Sequence, residues 1–323
     1  MNKLLKVENL KVQYNTFEGT VKAVNGLNLE IDTQQTLGLV GETGAGKTTT
    51  ALSIMKLISD PPGKIINGDV FYKNKEISKF TDKEMRSIRG NEIAMIFQDP
   101  MTSLNPVISV GLQIAEIIQA HEDLNRNQAM DKAAQMLKKV QIPPGRVKEY
   151  PHEFSGGMRQ RVGIAMALAC DPSLIIADEP TTALDVTIQA QVLDLMNDLK
   201  KDFSTAMIMI THDLGVVGEV CDRVAIVYAG KIIEEGSLEQ IFSNPKHPYT
   251  EGLFNCIPDI EEKYSKINPI EGTMPDPLNL PSGCSFSPRC SYTKEICTKN
   301  FPDSREVDGH MVRCHLYGKE GVK

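Results

Sequence analysis

Apolar runs long enough to cross a membrane are missing from this 323-residue sequence. Runs such as residues 163–170 and 206–210 fall well short of the roughly 18 residues that a spanning helix needs. The N-terminus has neither a long apolar region nor a small-residue cleavage site, so we expect no secretory signal. Basic residues are also too few for a nucleic-acid surface, because 35 Lys and Arg stand against 42 Asp and Glu. These absences predict a cytoplasmic globular protein that does not bind nucleic acid.

Internal repeats, heptad arrays and low-complexity tracts are absent as well. Apolar residues alternate with polar ones from Leu5 and again from Val24, which predicts the half-buried strands of an antiparallel β unit. Short apolar strand runs then alternate with helical patterns, as in a mostly parallel sheet. These runs lie at residues 37–40, 174–177, 206–210 and 224–228. Helical periodicity over about 107–170 predicts a helical subdomain inserted into this α/β core.

A glycine-rich motif, GETGAGKT, follows the first of these runs at residues 41–48. Apolar residues at helical spacing continue over 48–58, so the strand, loop and helix that a phosphate-binding loop requires are present. The three glycines let backbone N–H groups point at phosphate oxygens. We expect Lys47 to reach the β- and γ-phosphates and the Thr48 hydroxyl to bind Mg²⁺.

Two carboxylates end the strand run at 174–177, namely Asp178 and Glu179. Ligands of α/β sheets collect at the carboxyl ends of strands. Asp178 suits the Mg²⁺ shell, and Glu179 suits polarising an attacking water. Taken alone, the pattern is also that of a strand ending in an acidic turn.

A third motif, SGGMRQ, occupies residues 155–160 before an apolar helical pattern. Ser155 can donate a hydroxyl, while Gly156 and Gly157 permit a close backbone approach at the start of the helix. A simple helix N-cap, Ser followed by Gly, explains the same letters.

The order of these motifs, together with Gln98 and His212, resembles the ATP-binding cassette (ABC) family, the ATPases of ABC transporters. The resemblance implies an α/β P-loop ATPase core with a mixed sheet, an antiparallel β subdomain and an inserted helical subdomain. It also implies that the segment from Ser155 contacts the γ-phosphate held by the opposite subunit, so that ATP is closed between two chains. The implied ATP-binding residues are Tyr14, Gly41, Glu42, Thr43, Gly44, Ala45, Gly46, Lys47, Thr48, Thr49, Ser155, Gly156, Gly157, Asp178 and Asp185.

Several roles follow from this resemblance alone. Gln98 corresponds to the Q-loop residue that senses Mg²⁺ and the membrane partner, and His212 to the switch histidine on the γ-phosphate. Asp185 corresponds to the D-loop at the dimer interface. A lone Gln, His or Asp at a strand end is otherwise a solvated or capping residue. Tyr14 fits the aromatic that stacks on adenine, or is an ordinary strand aromatic. The implied catalytic residues are Glu179, His212 and Gln98, and the implied Mg²⁺ ligands are Thr48, Gln98 and Asp178.

The segments FQDPMTSLNP at 97–106 and NPKHPYT at 244–250 resemble the oligopeptide and dipeptide importer ATPases. That resemblance implies two transmembrane permease subunits, a second ATPase subunit and, indirectly, an extracytoplasmic solute-binding protein. It places the chain at the cytoplasmic face of the cell membrane. Import of nickel or another small solute is one alternative. A soluble ABC ATPase of translation or DNA repair is another, but the chain has neither two cassettes nor a long coiled coil.

Prolines become frequent from about residue 258, which predicts an ATPase domain at 1–257 and a loop-rich extension at 258–323. The extension carries Cys284, Cys290, Cys297 and Cys314 without the Cys-x₂-Cys pair of common zinc sites. Four cysteines can hold a [4Fe–4S] cluster, which some members of the peptide-importer family carry. Zinc is the alternative metal, and no metal the third possibility. We expect a structural role, since the extension has few apolar residues to bury.

Overall fold

The computed structural model describes residues 3–99, 103–182, 184–256 and 269–318. The chain divides into two compact units, the first made of residues 1–5, 31–36 and 72–210 and the second of the remainder. The boundary that the sequence predicts at 257/258 lies outside the described residues. Among those residues, no helix has the length and apolar character needed to cross a membrane.

The strands and helices are numbered here in chain order. The strands are β1 (Lys3–Thr16), β2 (Gly19–Asp32), β3 (Thr36–Val40), β4 (Gly63–Tyr72), β5 (Lys75–Glu76), β6 (Ile93–Ile96), β7 (Leu174–Asp178), β8 (Ala206–Thr211), β9 (Arg223–Tyr228), β10 (Lys231–Ser237), β11 (Arg305–Val307) and β12 (His310–Val312). The helices are α1 (Lys47–Ile54), α2 (Asp82–Ile88), α3 (Val110–His121), α4 (Arg126–Lys139), α5 (Gly156–Ala167), α6 (Val186–Phe203), α7 (Leu214–Val220), α8 (Leu238–Ser243), α9 (Pro248–Asn255) and α10 (Glu295–Lys299).

The first unit is built on the parallel strands β6, β7 and β8, hydrogen-bonded in that order. Every residue of β7 is buried, which accounts for its unbroken apolar run before Asp178. The helical pattern over 107–170 corresponds to α3, α4 and α5. Apolar side chains at helical spacing, such as Ile114 and Ile118 on α3, are fully buried there.

The second unit contains the strand order β11-β12-β10-β9-β3. Strand β3 runs parallel to β9, with Leu37 opposite Arg223. Strand β10 runs antiparallel to both β9 and β12. In a separate sheet β1 lies between β2 and β4, and only two residues join β1 to β2, a length that fits an antiparallel hairpin.

Two features of the second unit differ from the sequence-based expectation. The helix after the P-loop ends at Ile54 rather than Ile58, because Lys56 adopts a left-handed conformation with φ of 49°. The extension is also less loop-like than its prolines suggest, since β12 pairs with β10 through Val312 opposite Glu234. It contributes buried apolar side chains as well, with Phe286 only 4% exposed.

Candidate functional site

The P-loop leads from the buried strand β3 into α1. Gly46 caps α1 in the left-handed region with φ of 98°. A Cβ on Gly46 would lie 2.4 Å from the carbonyl oxygen of Ala23, and one on Gly41 would lie 2.2 Å from that of Val227. Only glycine fits at these two positions. The N-terminus of α1 then offers backbone N–H groups and a positive dipole end, which suit phosphate.

Lys47 is held inside the loop, with only 5% of the residue exposed. Its ammonium donates hydrogen bonds to the carbonyl oxygens of Gly41 at 2.6 Å and Glu42 at 3.0 Å. The next residue, Thr48, is exposed. A buried cation at a helix N-terminus is the electrostatic complement of a polyphosphate.

Glu42, inside the P-loop, is held by residues that lie far away in the sequence. Its backbone N–H donates to the Tyr249 hydroxyl at 2.9 Å. Its carboxylate accepts from Nη1 of Arg289 at 2.9 and 3.2 Å. Burial alone would lower the pKa of Arg289, but hydrogen bonds to Tyr228 and Glu42 raise it above its usual value. Sequence analysis missed the roles of both residues, because no local motif marks Arg289 and because the NPKHPYT segment, which contains Tyr249, gives no sign of a contact with the P-loop.

Glu179 follows the buried end of β7 in a left-handed conformation with φ of 45°. Its N–H donates to the Ile210 carbonyl at 2.9 Å. Its Oε2 accepts from Nε2 of Gln98 at 2.9 Å and from the Thr182 hydroxyl at 3.0 Å. Asp178, one residue earlier, is 3% exposed. The fold therefore brings together Gln98 and Glu179, two predicted catalytic residues. The left-handed backbone conformation of Glu179 is uncommon for a residue other than glycine.

The SGGMRQ segment begins α5, and Ser155 is its N-cap. The Ser155 Oγ accepts from the Met158 N–H at 3.4 Å, so the capping alternative is realised, while Ser155 and Gly156 remain exposed. A Cβ on Gly157 would lie 2.5 Å from Cγ2 of Ile188, so α5 begins close against α6. Asp185 caps α6 through a 3.0 Å bond from the Ile188 N–H. Ala183, two residues before Asp185, lies outside the described residues.

Tyr14 and His212, the predicted adenine and γ-phosphate contacts, both belong to the second unit. Tyr14 is half-buried on β1, and its ring lies against Gly63, where a Cβ would be 2.7 Å from its Cε1. His212 is exposed directly after β8. The next residue, Asp213, caps α7 by accepting from the Gly215 N–H at 2.8 Å.

The four cysteines of the extension line a single cavity, together with His247 and other residues. All four are free thiols. The backbone of Cys284 and Cys297 is joined by a 2.7 Å N–H to carbonyl bond. Within the described part of the chain, however, no three His, Cys, Asp or Glu side chains are placed to hold a metal ion. This finding supports neither the expected iron–sulfur cluster nor the zinc alternative.

Burial has the largest effect on the pKa values of three thiols in this cavity. It raises the pKa of Cys284 and Cys290, and that of Cys314 to about 12. Backbone N–H groups oppose this rise, including those of Phe286 at Cys284 and Leu316 at Cys314. The other cysteines, at positions 170, 221 and 256, are buried or half-buried and do not line this cavity.

Comparison with known proteins gives two family matches. The model described as "ABC transporter" matches residues 24–182. The model described as "Oligopeptide/dipeptide transporter, C-terminal region" matches residues 233–297.

Curated relatives match along the full length. The chain is 48% identical to the oligopeptide transport ATP-binding protein AppD of Bacillus subtilis, over 100% of this chain and 99% of the relative. It is 47% identical to the dipeptide transport ATP-binding protein DppD of the same organism, over 98% and 95%.

Among solved structures, the dimeric post-hydrolysis ATP-binding cassette MJ0796 bound to ADP and Pi superposes with a TM-score of 0.65. It is 26% identical and covers 72% of this chain and 98% of that one. The predicted fold class is thereby confirmed.

Proposed function

Because this chain belongs to the oligopeptide and dipeptide branch of the ABC transporter ATPases, we propose that it powers an importer of di- and oligopeptides. ATP hydrolysis is the activity of the family. The observation that carries the peptide assignment is the match to AppD across the whole chain, which includes the extension as well as the cassette. Import of nickel or another small solute remains the alternative for the test below to decide.

The phosphate-binding residues are proposed from the geometry of the P-loop. The N–H groups around Gly44 and Gly46, together with Lys47, bind the β- and γ-phosphates. Thr48 supplies a hydroxyl to Mg²⁺, and Asp178 and Gln98 supply side-chain oxygens of the kind that this ion prefers. Mg²⁺, when bound, neutralises charge that develops on the transferred phosphoryl group. Tyr14 is proposed to stack on the adenine.

Glu179 is proposed to polarise the attacking water. Its support is the pair of hydrogen bonds from Gln98 and Thr182, which fix the orientation of the carboxylate. A general base has to lie within hydrogen-bond reach of the proton that it accepts, so a fixed carboxylate favours catalysis. His212 is proposed to contact the γ-phosphate.

The exposed start of α5 supports a role towards a second ATPase subunit. Ser155, Gly156 and Gly157 would contact the γ-phosphate held by that subunit, and Asp185 would lie at the same interface. The MJ0796 cassette, of like fold, is described as dimeric. Two permease subunits, a solute-binding protein and a position at the cytoplasmic face of the membrane follow from the transporter assignment.

The four thiols are proposed to hold one [4Fe–4S] cluster. The support is that Cys284, Cys290, Cys297 and Cys314 line one cavity and that backbone N–H groups approach the sulfur atoms of Cys284 and Cys314. A single zinc ion, with Zn–S bonds of about 2.3 Å, draws its four thiolates close to one another. A cluster of eight atoms lies between its four thiolates and therefore keeps them farther from one another. The names of the relatives mention peptide transport and no metal, so this proposal rests on the cavity and on those N–H contacts.

Anaerobic purification tests the cluster. We expect a brown protein with a broad absorbance near about 400 nm and about four irons per chain. A colourless anaerobic preparation with one zinc per chain would replace the cluster by zinc. A preparation with neither metal would refute both.

Uptake of labelled peptides by cells that contain the chain and its transporter partners tests the substrate class. We expect accumulation of a labelled dipeptide or oligopeptide that stops in the Lys47→Ala variant. Accumulation of nickel without peptide uptake, at equal protein levels, would assign the chain to the alternative importer.

A further inference from the structure

We propose that Arg289 is a positioning residue of the ATP site, because it holds the P-loop through Glu42 and joins it to the turn at residues 284–290. This turn carries two of the four cavity cysteines, Cys284 and Cys290. The proposal rests on the ATPase activity of the family and on contacts within the second unit. It holds whichever metal, if any, the thiols bind.

Glu42 is held at each of its polar groups. The Tyr249 hydroxyl accepts its N–H at 2.9 Å, Lys47 donates to its carbonyl at 3.0 Å, and Arg289 pairs with its carboxylate at 2.9 Å. Burial raises the pKa of Tyr249, so its hydroxyl stays neutral, and its oxygen accepts this bond. The loop is therefore fixed in position before nucleotide arrives.

The Arg289 guanidinium is itself firmly held. Its side chain is 6% exposed, while that of Glu42 is 30% exposed. Besides Glu42, it donates to the Glu271 carbonyl at 3.0 Å, the Ile270 carbonyl at 3.4 Å and the Tyr228 hydroxyl at 3.3 Å. Because the planar guanidinium is hydrogen-bonded on several sides, the Arg289 side chain is already ordered and loses little further conformational entropy when it binds Glu42. Loss of Arg289 would leave the Glu42 carboxylate without this partner and release one side of the loop.

The same turn connects Arg289 to the cysteine cavity. The Ser287 N–H donates to the Cys284 carbonyl at 2.9 Å, and the Arg289 N–H donates to the Phe286 carbonyl at 2.9 Å. The Phe286 ring packs edge-on against Tyr228 and Tyr249, with ring centroids 5.3 and 5.4 Å apart. A displacement of Cys284 or Cys290 therefore moves the groups that hold Glu42.

Nucleotide affinity is the property that this contact controls. A loop fixed in its binding geometry loses less conformational entropy when phosphate binds. The chemical step depends on other residues, Glu179 among them. We therefore expect Arg289→Ala to weaken ADP binding about tenfold and to raise the KM for ATP by a similar factor, with kcat within twofold of wild type.

Calorimetric titration of MgADP into the full chain tests the proposal, with Arg289→Ala, Arg289→Lys, Glu42→Gln and the double variant Arg289→Ala/Glu42→Gln. Lysine should restore part of the affinity, because it keeps the charge but not the fork. The double variant should bind no more weakly than Arg289→Ala alone, since both substitutions remove one contact. Arg305→Ala, an exposed arginine of the same extension, is the matched control and should bind ADP as wild type does.

Three results would overturn the proposal. One is ADP affinity within twofold of wild type in a folded Arg289→Ala protein. Another is losses that multiply in the double variant, which would mean that Arg289 does not act through Glu42. The third is a fall in kcat with KM unchanged. Iron content should be measured on the same samples, so that this test is independent of the cluster proposal. If the protein contains no iron, the ADP affinity, the KM and the kcat still test the role of Arg289.

Discussion

The P-loop and the cysteine turn at 284–290 lie in the same unit and present ligand groups in different ways. The P-loop is shaped by its own backbone, with a left-handed Gly46 and a Lys47 side chain folded onto carbonyls only a few residues away. The cysteine turn is shaped by distant partners, since Cys284 pairs with the backbone of Cys297 and Phe286 packs against aromatic side chains from β9 and α9. The P-loop takes its backbone shape from short-range contacts and meets distant residues at Glu42, whereas the cysteine turn depends on contacts that are more distant in the sequence.

That difference predicts how each region responds to substitution. A change in the P-loop should alter nucleotide chemistry without disturbing the rest of the unit. A change in the extension should act through packing and reach the P-loop through the contacts of Arg289 and Phe286 with the groups that hold Glu42. The four predictions below test this distinction.

The largest effect is expected in the chemistry itself, at Glu179. Glu179→Gln should hydrolyse ATP at least about 100-fold more slowly, because a positioned general base contributes roughly 10²–10⁴ to the rate. ATP should still bind, since the substitution removes no phosphate ligand. Steady-state phosphate release and equilibrium ATP binding measure the two properties. Glu116→Gln, at an exposed position on α3, is the control, and near-normal turnover in Glu179→Gln would remove Glu179 from the catalytic role.

Lys47→Ala should lose nucleotide affinity by about 30-fold, the value of one lost charge-assisted hydrogen bond. The lysine neutralises phosphate charge in the ground state as well as in the transition state, so binding falls together with turnover. Titration with MgADP measures the loss, and Lys64→Ala, an exposed lysine on β4, serves for comparison. Unchanged binding would contradict the phosphate-cradle assignment.

The same contrast explains which features the sequence predicts. The P-loop, the strand before Asp178 and the helix after Ser155 depend on local periodicity and turn residues, and each appears where the pattern places it. Helix α1 ends early because one left-handed residue, Lys56, interrupts a good apolar pattern.

Contacts between distant residues could not be predicted in this way. The pairing of β12 with β10 and the ion pair between Glu42 and Arg289, 247 residues apart, leave no periodic signal in a single sequence. The clustering of the cysteines in the sequence predicts a shared metal site, but their common cavity depends on contacts between distant residues.

Removal of a buried anchor of the extension should affect the stability of the fold and not the chemistry of the nucleotide. Glu234 is fully buried on β10, and its carboxylate accepts from the N–H groups of Lys246 at 2.6 Å and His247 at 2.9 Å. Nδ1 of His310, on β12, lies 3.1 Å from the same carboxylate. Glu234→Ala leaves these donors unpaired, so we expect a loss of about 3 kcal/mol in the free energy of unfolding.

Chemical denaturation of Glu234→Ala measures this loss, with the exposed Glu306→Ala on β11 as the matched variant. An equally small change in both proteins would show that the extension is not held through Glu234. A loss in Glu234→Ala alone would support the view that long-range contacts build this region.

The smallest effect is expected where the two regions meet, in Cys290→Ser. The substitution should remove the proposed cluster and loosen the turn, while Arg289 keeps its own hydrogen bonds to the carbonyls of Ile270 and Glu271. We therefore expect about threefold weaker ADP binding, less than the loss for Arg289→Ala, with kcat retained. Cys256→Ser, a half-buried cysteine outside the cavity lining, should keep both iron and affinity. If Cys290→Ser loses its iron but binds ADP as tightly as Cys256→Ser, the cavity and the P-loop are independent, and the contact of Arg289 with Glu42 does not transmit the state of the thiols.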